Sequence, residues 1–236
     1  MIINLISSPR NISTALMYSF AHRTDTKVMD EPFYAYYLNL TDAEHPGKDQ
    51  IIKSQPTSVA GVKEWIQHTG SQHDVVFIKN MAHHLIQMDL DFLRDYVNVF
   101  LIRNPQDLIL SFSKVIGNPE MKDIGLERQF EIYQRLSQHT SCPVIDSAEI
   151  LKNPESALTN LCKEIGLKYE PSMIKWEAGA IPEDGVWAKY WYDSVHHSTG
   201  FHTSHRPKVD FPEHLHGLLR RSKTFYEELS KVSIKA

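Results

Sequence analysis

Residues 7–14 read Ser-Ser-Pro-Arg-Asn-Ile-Ser-Thr, after an apolar run over 2–6 and before a helical stripe reaching Phe20. A short strand, a polar loop with one basic residue and a helix can together cradle an oxyanion. The helix N-terminus presents unpaired backbone N–H groups and a partial positive charge. Arg10 adds a full charge, Ser13 and Thr14 place hydroxyls on the first helical turn, and Ser8, Asn11 and Ile12 complete the loop. The loop has no glycine and no following Lys-[Ser/Thr] pair, so it departs from the pattern that holds a terminal phosphate and Mg²⁺ in ATPases.

A second anion-binding arrangement lies at Arg103-Asn104-Pro105, where the run 97–102 ends. Asn104 suits a helix cap and Pro105 the first helical position, which leaves Arg103 at the strand tip and Ser111 about two turns further on. An arginine and a hydroxyl held by rigid neighbouring elements can grip a phosphate. Acid–base chemistry has three candidates. Glu31, in Asp30-Glu31-Pro32-Phe33, could have its carboxyl raised towards working pH by apolar neighbours such as Phe33 and Tyr34, and it ranks ahead of Asp30. His83 and His84 are the rivals; adjacent residues on a helix point about 100° apart, so at most one is expected to face the site. Lys79 closes the third strand-like run.

These groups need a scaffold that brings strand ends together. Strand-like runs occur at 2–6, 27–29, 75–78, 97–102 and 143–145, several of them continuously apolar, as strands covered on both faces require. Helical patterns fill the gaps at 13–22, 57–69, 105–116, 126–138 and 154–166. The alternation predicts an α/β fold, three layers with a central, mainly parallel sheet, and ligands in such folds bind at the carboxyl ends of the strands. Residues 40–57 and 117–125 read as loops, 176–210 as a long irregular lid or substrate segment, and 212–231 as a final helix. One domain over 1–236 is the expectation at this length.

Composition narrows the partners. The chain has 236 residues, 42% hydrophobic and 23% charged, with a formal net charge of −4, which gives no general affinity for nucleic acid or anionic membrane. The start shows no secretory pattern, no apolar stretch approaches the roughly 20 residues that span a bilayer, and Cys142 and Cys162 form no disulfide framework. The expectation is a reduced, cytoplasmic protein. His196, His197, His202 and His205 lack ligand companions at metal-binding spacing, so no metal is expected.

The loop 7–14 resembles the 5′-phosphosulfate loop of the sulfotransferases, and Arg103 through Ser111 resembles their 3′-phosphate motif, with the same Arg-to-Ser spacing and Arg-Asn-Pro opening. Ile145-Asp146-Ser147, Asn153-Pro154-Glu155 and the run 161–167 resemble the family's late strand–helix, so the likeness covers roughly residues 2–175. The resemblance implies a P-loop-type sulfotransferase fold, 3′-phosphoadenosine 5′-phosphosulfate (PAPS) as donor, 3′,5′-adenosine bisphosphate (PAP) as product, and no metal. It implies Arg10 and the loop at the 5′ end, Arg103 and Ser111 at the 3′-phosphate, Glu31 or a histidine of the 83/84 pair as base, and Lys79 near the transferring group. Arg10 stands where many members carry lysine; a guanidinium stabilises charge without donating a proton.

The late segment 187–201, dense in aromatics, lacks the family's Arg-Lys-Gly pattern. Trp187 and Trp191 suit core packing or a lid, and Ser198-Thr199-Gly200 offers donors to a phosphate. The acceptor, a small molecule or a carbohydrate, stays open, as does the oligomeric state; Phe33, Tyr34, Tyr36 and Tyr37 suit either stacking on it or the core. A nucleoside-triphosphate-dependent kinase-like enzyme and a catalytically idle nucleotide-binding protein are the competing readings.

Overall fold

The computed structural model describes residues 1–202 and 210–236. Its sheet has six parallel strands in the order β2-β3-β1-β4-β5-β6: β1 (Ile2–Ser7), β2 (Thr26–Asp30), β3 (Val75–Met81), β4 (Val97–Ile102), β5 (Val144–Asp146) and β6 (Ser233–Ile234). Alternation along each strand divides the core in two. Ile3, Leu5, Phe77, Val99 and Leu101 pack with Leu16, Met17 and Phe20 of the helix Ser13–Ala21 and with Leu158 and Leu161 of the helix Pro154–Glu164. Ile6, Val76, Ile78, Phe100 and Ile102 pack with Val62 and Ile66 of the helix Val59–Gln72 and with Ile132 and Leu136 of the helix Leu126–Leu136. Helices on both faces give the three-layer α/β arrangement that strands apolar on both faces require.

Three buried amides tie the central strands together: Asn80 donates to Asn4 at 2.8 Å, and Asn4 to Asn98 at 2.9 Å. A one-residue slip would send each amide to the opposite face, so the ladder fixes the register. The strand order turns back at β1, whose neighbours are β3 and β4, and the crevice at its carboxyl end is a topological switch point.

The structure revises four sequence expectations about elements. The stretch 40–57 contains a helix, Lys48–Ser54, whose one buried residue, Ile51, leaves no stripe to read. The stretch 117–125 contains a helical turn, Met121–Ile124, stopped by Gly125 at φ 64°. β6 is two residues long, too short to show a pattern. The late segment is less irregular than expected. It carries the short helices Ala188–Trp191 and Asp193–His196, and its Trp176, Trp187 and Tyr192 are built into the core. The final helix runs over His216–Ser230 after a 3₁₀ turn at Glu213–Leu215.

Candidate active site

The loop after β1 achieves without glycine a backbone that normally asks for it. Arg10 and Ile12 sit at φ 60° and 65°. The left-handed region is unfavourable for a β-branched residue, and such strain persists only where surrounding contacts over-determine it. Those contacts are side chains. Asn11, fully buried, donates to the Leu101 carbonyl at 3.0 Å and accepts from the Ser13 N–H at 3.3 Å. The Arg103 guanidinium donates to the Arg10 carbonyl, which ties the tip of β4 to the crest of the loop. Arg10 Nε in turn donates to Ser111 Oγ at 3.3 Å, from the helix Pro105–Phe112 that Asn104 caps through Gln106 N–H. The loop after β1 and the Arg103–Ser111 motif are thus one bonded unit.

Gln129 completes it. Its amide, fully buried beneath the loop, donates to the Ile6 and Leu101 carbonyls at 2.9 and 2.8 Å and accepts from Ser8 Oγ at 3.2 Å. Ser8 is therefore turned inward to support the loop, and Asn11 supports it through its side chain, while Arg10, Asn11, Ile12, Ser13 and Thr14 line a cavity of about 470 Å³ together with Arg103 and Ser111.

On the other side of this cavity stand Glu31 and Lys79. Asp30 and Lys79 are direct partners in the β2–β3 register, and Glu31, at φ 41°, follows the strand end with its N–H on the Lys79 carbonyl at 2.8 Å. The buried Lys79 ammonium donates to Glu31 Oε1 at 2.7 Å, to Asp30 Oδ1 at 2.9 Å and to the Tyr192 hydroxyl. Burial raises the Glu31 carboxyl above its ordinary range, with Asp30 adding to the rise and Lys79 opposing it. Burial works against the Lys79 ammonium, and the charges of Asp30 and Glu31 together more than reverse that, leaving its pKa raised.

His83 and His84 lie on the 3₁₀ turn Ala82–His84, and both line the cavity, contrary to the expectation that only one would. Their rings touch, with centroids 4.4 Å apart, and His84 stacks on Tyr34 and Tyr37 at 4.5 and 4.7 Å. Burial pushes His83 down to about 3 and holds His84 well below its ordinary value, so both imidazoles are neutral at pH 7. His84 Nδ1 is 3.6 Å from Glu31 Oε2.

A family model for a sulfotransferase domain matches residues 1–232. The chain belongs to the sulfotransferase domain family. Similar solved structures include a sulfotransferase from Alicyclobacillus acidocaldarius (11% identity, 98% of this chain and 96% of that one, TM-score 0.57). The sulfotransferase domain of the curacin biosynthetic pathway gives 13% identity, 100% and 98% coverage and a TM-score of 0.53. A mouse sulfotransferase complexed with PAP gives 12%, 96%, 82% and 0.51. At these identities the likeness shows the fold. Among curated proteins the chain is 39% identical to branched-chain-amino-acid aminotransferase-like protein 1 and 35% to protein 2 of Arabidopsis thaliana, over 97% of its length in both cases. It spans 41% of the length of each of these relatives.

Within this sulfotransferase domain the remaining expected residues divide. Phe33 and Tyr36 are buried in the core on the helix Val59–Gln72 side, whereas Tyr34 lines the cavity. Trp187 is core and Trp191 lines the cavity. Ser198 and Gly200 line it too, although Ser198 Oγ is engaged by the Val195 carbonyl and Trp176 Nε1. Among the described residues no three His, Cys, Asp or Glu side chains gather as a metal site, and His205 lies outside those residues. Nor is any helix among them long and apolar enough to cross a membrane. Two contributors escaped sequence reasoning. Gln129 interrupts the buried stripe Leu126, Ile132, Leu136 with an amide, a readable sign of a polar task in the core. Tyr192 carries no local sign, since its charged partners, Lys79 and Asp30, are more than a hundred residues away.

Proposed function

We propose that this domain transfers a sulfuryl group from PAPS to a hydroxyl or amine of a small-molecule or carbohydrate acceptor. The observation that carries the reading is a single cavity with the strained Arg10 loop and Arg103/Ser111 on one side and Glu31 on the other. The donor set fits the nucleotide. Arg10, the loop amides, Ser13 and Thr14 suit the 5′ phosphate and its bridging oxygen, and Arg103 with Ser111 suits the 3′-phosphate, which ATP lacks. When bound, PAPS supplies an activated sulfuryl group.

The chain's own residues then position and stabilise. Glu31 takes the acceptor proton as the acceptor oxygen or nitrogen bonds to sulfur. Arg10 and the helix N-terminus hold the electron pair left on the departing phosphate oxygen. A carboxyl raised by burial is suited to receiving that proton near neutral pH. The complex of a fold neighbour with PAP supports the choice of donor.

Calorimetric titration with PAP, ATP and 5′-AMP tests it. PAP should bind tightest, and Arg103→Ala should weaken PAP by roughly 10- to 150-fold, the loss of charge-assisted hydrogen bonds worth about 1.5–3 kcal/mol. Equal binding of the three nucleotides, or an unaffected variant, would sink the reading.

A further inference from the structure

We propose that Tyr192 and Asp30 are positioning residues that clamp the Lys79 ammonium against Glu31, and so fix the orientation and charge state of that carboxylate. The inference rests on Glu31 being the acid–base group of the reading above. It starts from valence. An ammonium has three N–H donors, and those of Lys79 are taken by Asp30 Oδ1, Glu31 Oε1 and the Tyr192 hydroxyl, with the side chain fully buried. None is left for a group arriving in the cavity, so Lys79 acts through Glu31.

The Tyr192 hydroxyl is equally committed. It accepts from Lys79 and from Trp187 Nε1 at 3.0 Å, and it donates to Asp30, whose oxygens lie 2.8 and 2.7 Å away. One proton and two lone pairs are thereby used, which makes Tyr192 a spacer between ammonium and carboxylate. Asp30 Oδ2 also accepts the Gly185 N–H at 3.1 Å. Residues 185–192 are thus fastened to the ends of β2 and β3 through Asp30 and Tyr192.

The groups facing Glu31 pull in opposite directions. Burial and the like charge of Asp30 favour the protonated acid. The Lys79 ammonium favours the carboxylate. His84 Nδ1 and the buried Tyr34 ring complete the surroundings and are neutral. Tyr192→Phe strips Asp30 of its hydroxyl donor and leaves the Asp30 charge less offset, so Glu31 should become harder to ionise. Asp30→Asn removes the like charge while keeping the shape, so Glu31 should become easier to ionise.

The test is a pH titration of the free protein labelled with [¹³Cδ]glutamate, the Glu31 resonance being identified by its loss in Glu31→Gln. The expected result is a midpoint that moves up in Tyr192→Phe and down in Asp30→Asn. A midpoint unmoved in either variant, or moved the same way in both, overturns the proposal. Each variant is decisive alone should the other fail to fold. The titration uses neither donor nor acceptor. Failure of PAP binding would therefore refute the functional reading and leave the clamp standing, and the converse outcome would do the reverse.

Discussion

Replacing Gln129 by methionine keeps most of the side-chain volume and removes three hydrogen bonds beneath the Arg10 loop. The Leu101 carbonyl still accepts from Asn11, so its loss is partial. The Ile6 carbonyl likewise keeps its place in the β1–β4 ladder, whereas the Ser8 hydroxyl, in a residue 1% exposed, cannot turn to water instead. At about 1–3 kcal/mol for a buried polar group left unsatisfied, the variant should lose roughly 1–3 kcal/mol of stability. For a chain of this size that is a fall in Tm of roughly 2–12 °C. The loop has a second reason to respond, because Arg10 and Ile12 keep their left-handed conformations only while the surroundings hold them. A loop released from that strain must be re-formed on binding. One residue held in the left-handed region, about 1–2 kcal/mol, corresponds to PAP affinity lower by roughly 5- to 30-fold. Differential scanning calorimetry and PAP titration at a temperature where the variant is folded measure the two effects separately. A variant with wild-type Tm would refute the account of Gln129 as a satisfied buried amide. Reduced Tm with unchanged PAP affinity would refute its link to the loop.

His83 is held neutral in the fold down to about pH 3, whereas in the unfolded chain it protonates near 6.5. Between those values the unfolded state binds more protons, so stability should fall as pH drops below about 6.5, with His83 contributing a slope approaching ~1.4 kcal/mol per pH unit. Urea denaturation at pH 7, 6 and 5 should show a shallower slope in His83→Gln, and identical slopes would contradict the burial argument. Tyr18→Phe removes the hydroxyl that donates to Asp184 at 2.6 Å and ties the helix Ser13–Ala21 to residues 179–184. A loss of about 1–2 kcal/mol is expected, read as a Tm lower by roughly 2–8 °C; an unchanged Tm would show that contact to be idle.

The parts of this architecture that could be read in the sequence are those whose cause is local. β1 and β4 are apolar apart from Asn4, Ser7 and Asn98 because helices cover both faces, and that pattern survives in any context. Asn104-Pro105 marks a helix start through capping and a fixed φ, and the cap bond is present. Arg10 through Thr14 were legible as a loop opening a helix. What could not be read is the division of labour inside it, since the inward turn of Ser8 depends on Gln129, 121 residues later. The helix Lys48–Ser54 is held by one buried isoleucine and so has no period. Asp30 looked secondary to Glu31 because its importance arises from pairing with Lys79 across two strands, a matter of register. Tyr192 lies in a segment where every third residue or so is aromatic or histidine, and composition alone cannot tell which ring goes to the core.

Sheet order explains why the cavity has two electrical characters. The strands whose ends carry the guanidiniums, β1 and β4, are neighbours, and the strand whose end carries both carboxylates, β2, lies on the other side beside β3, which carries Lys79. Arg10 and Arg103 therefore place two positive charges at the switch point of a chain whose net charge is −4. Asp30, Glu31 and Lys79 carry one excess negative charge when ionised, in a buried setting where Glu31 can shed it by taking up a proton. An anionic donor would be drawn to the first half and repelled by the second until Glu31 is protonated or its charge is offset. The interval between the two halves is where a group leaving one and joining a partner activated by the other has to pass. Moving the carboxylate pair to β4, or the guanidiniums to β2, would keep the composition of the site and abolish that separation.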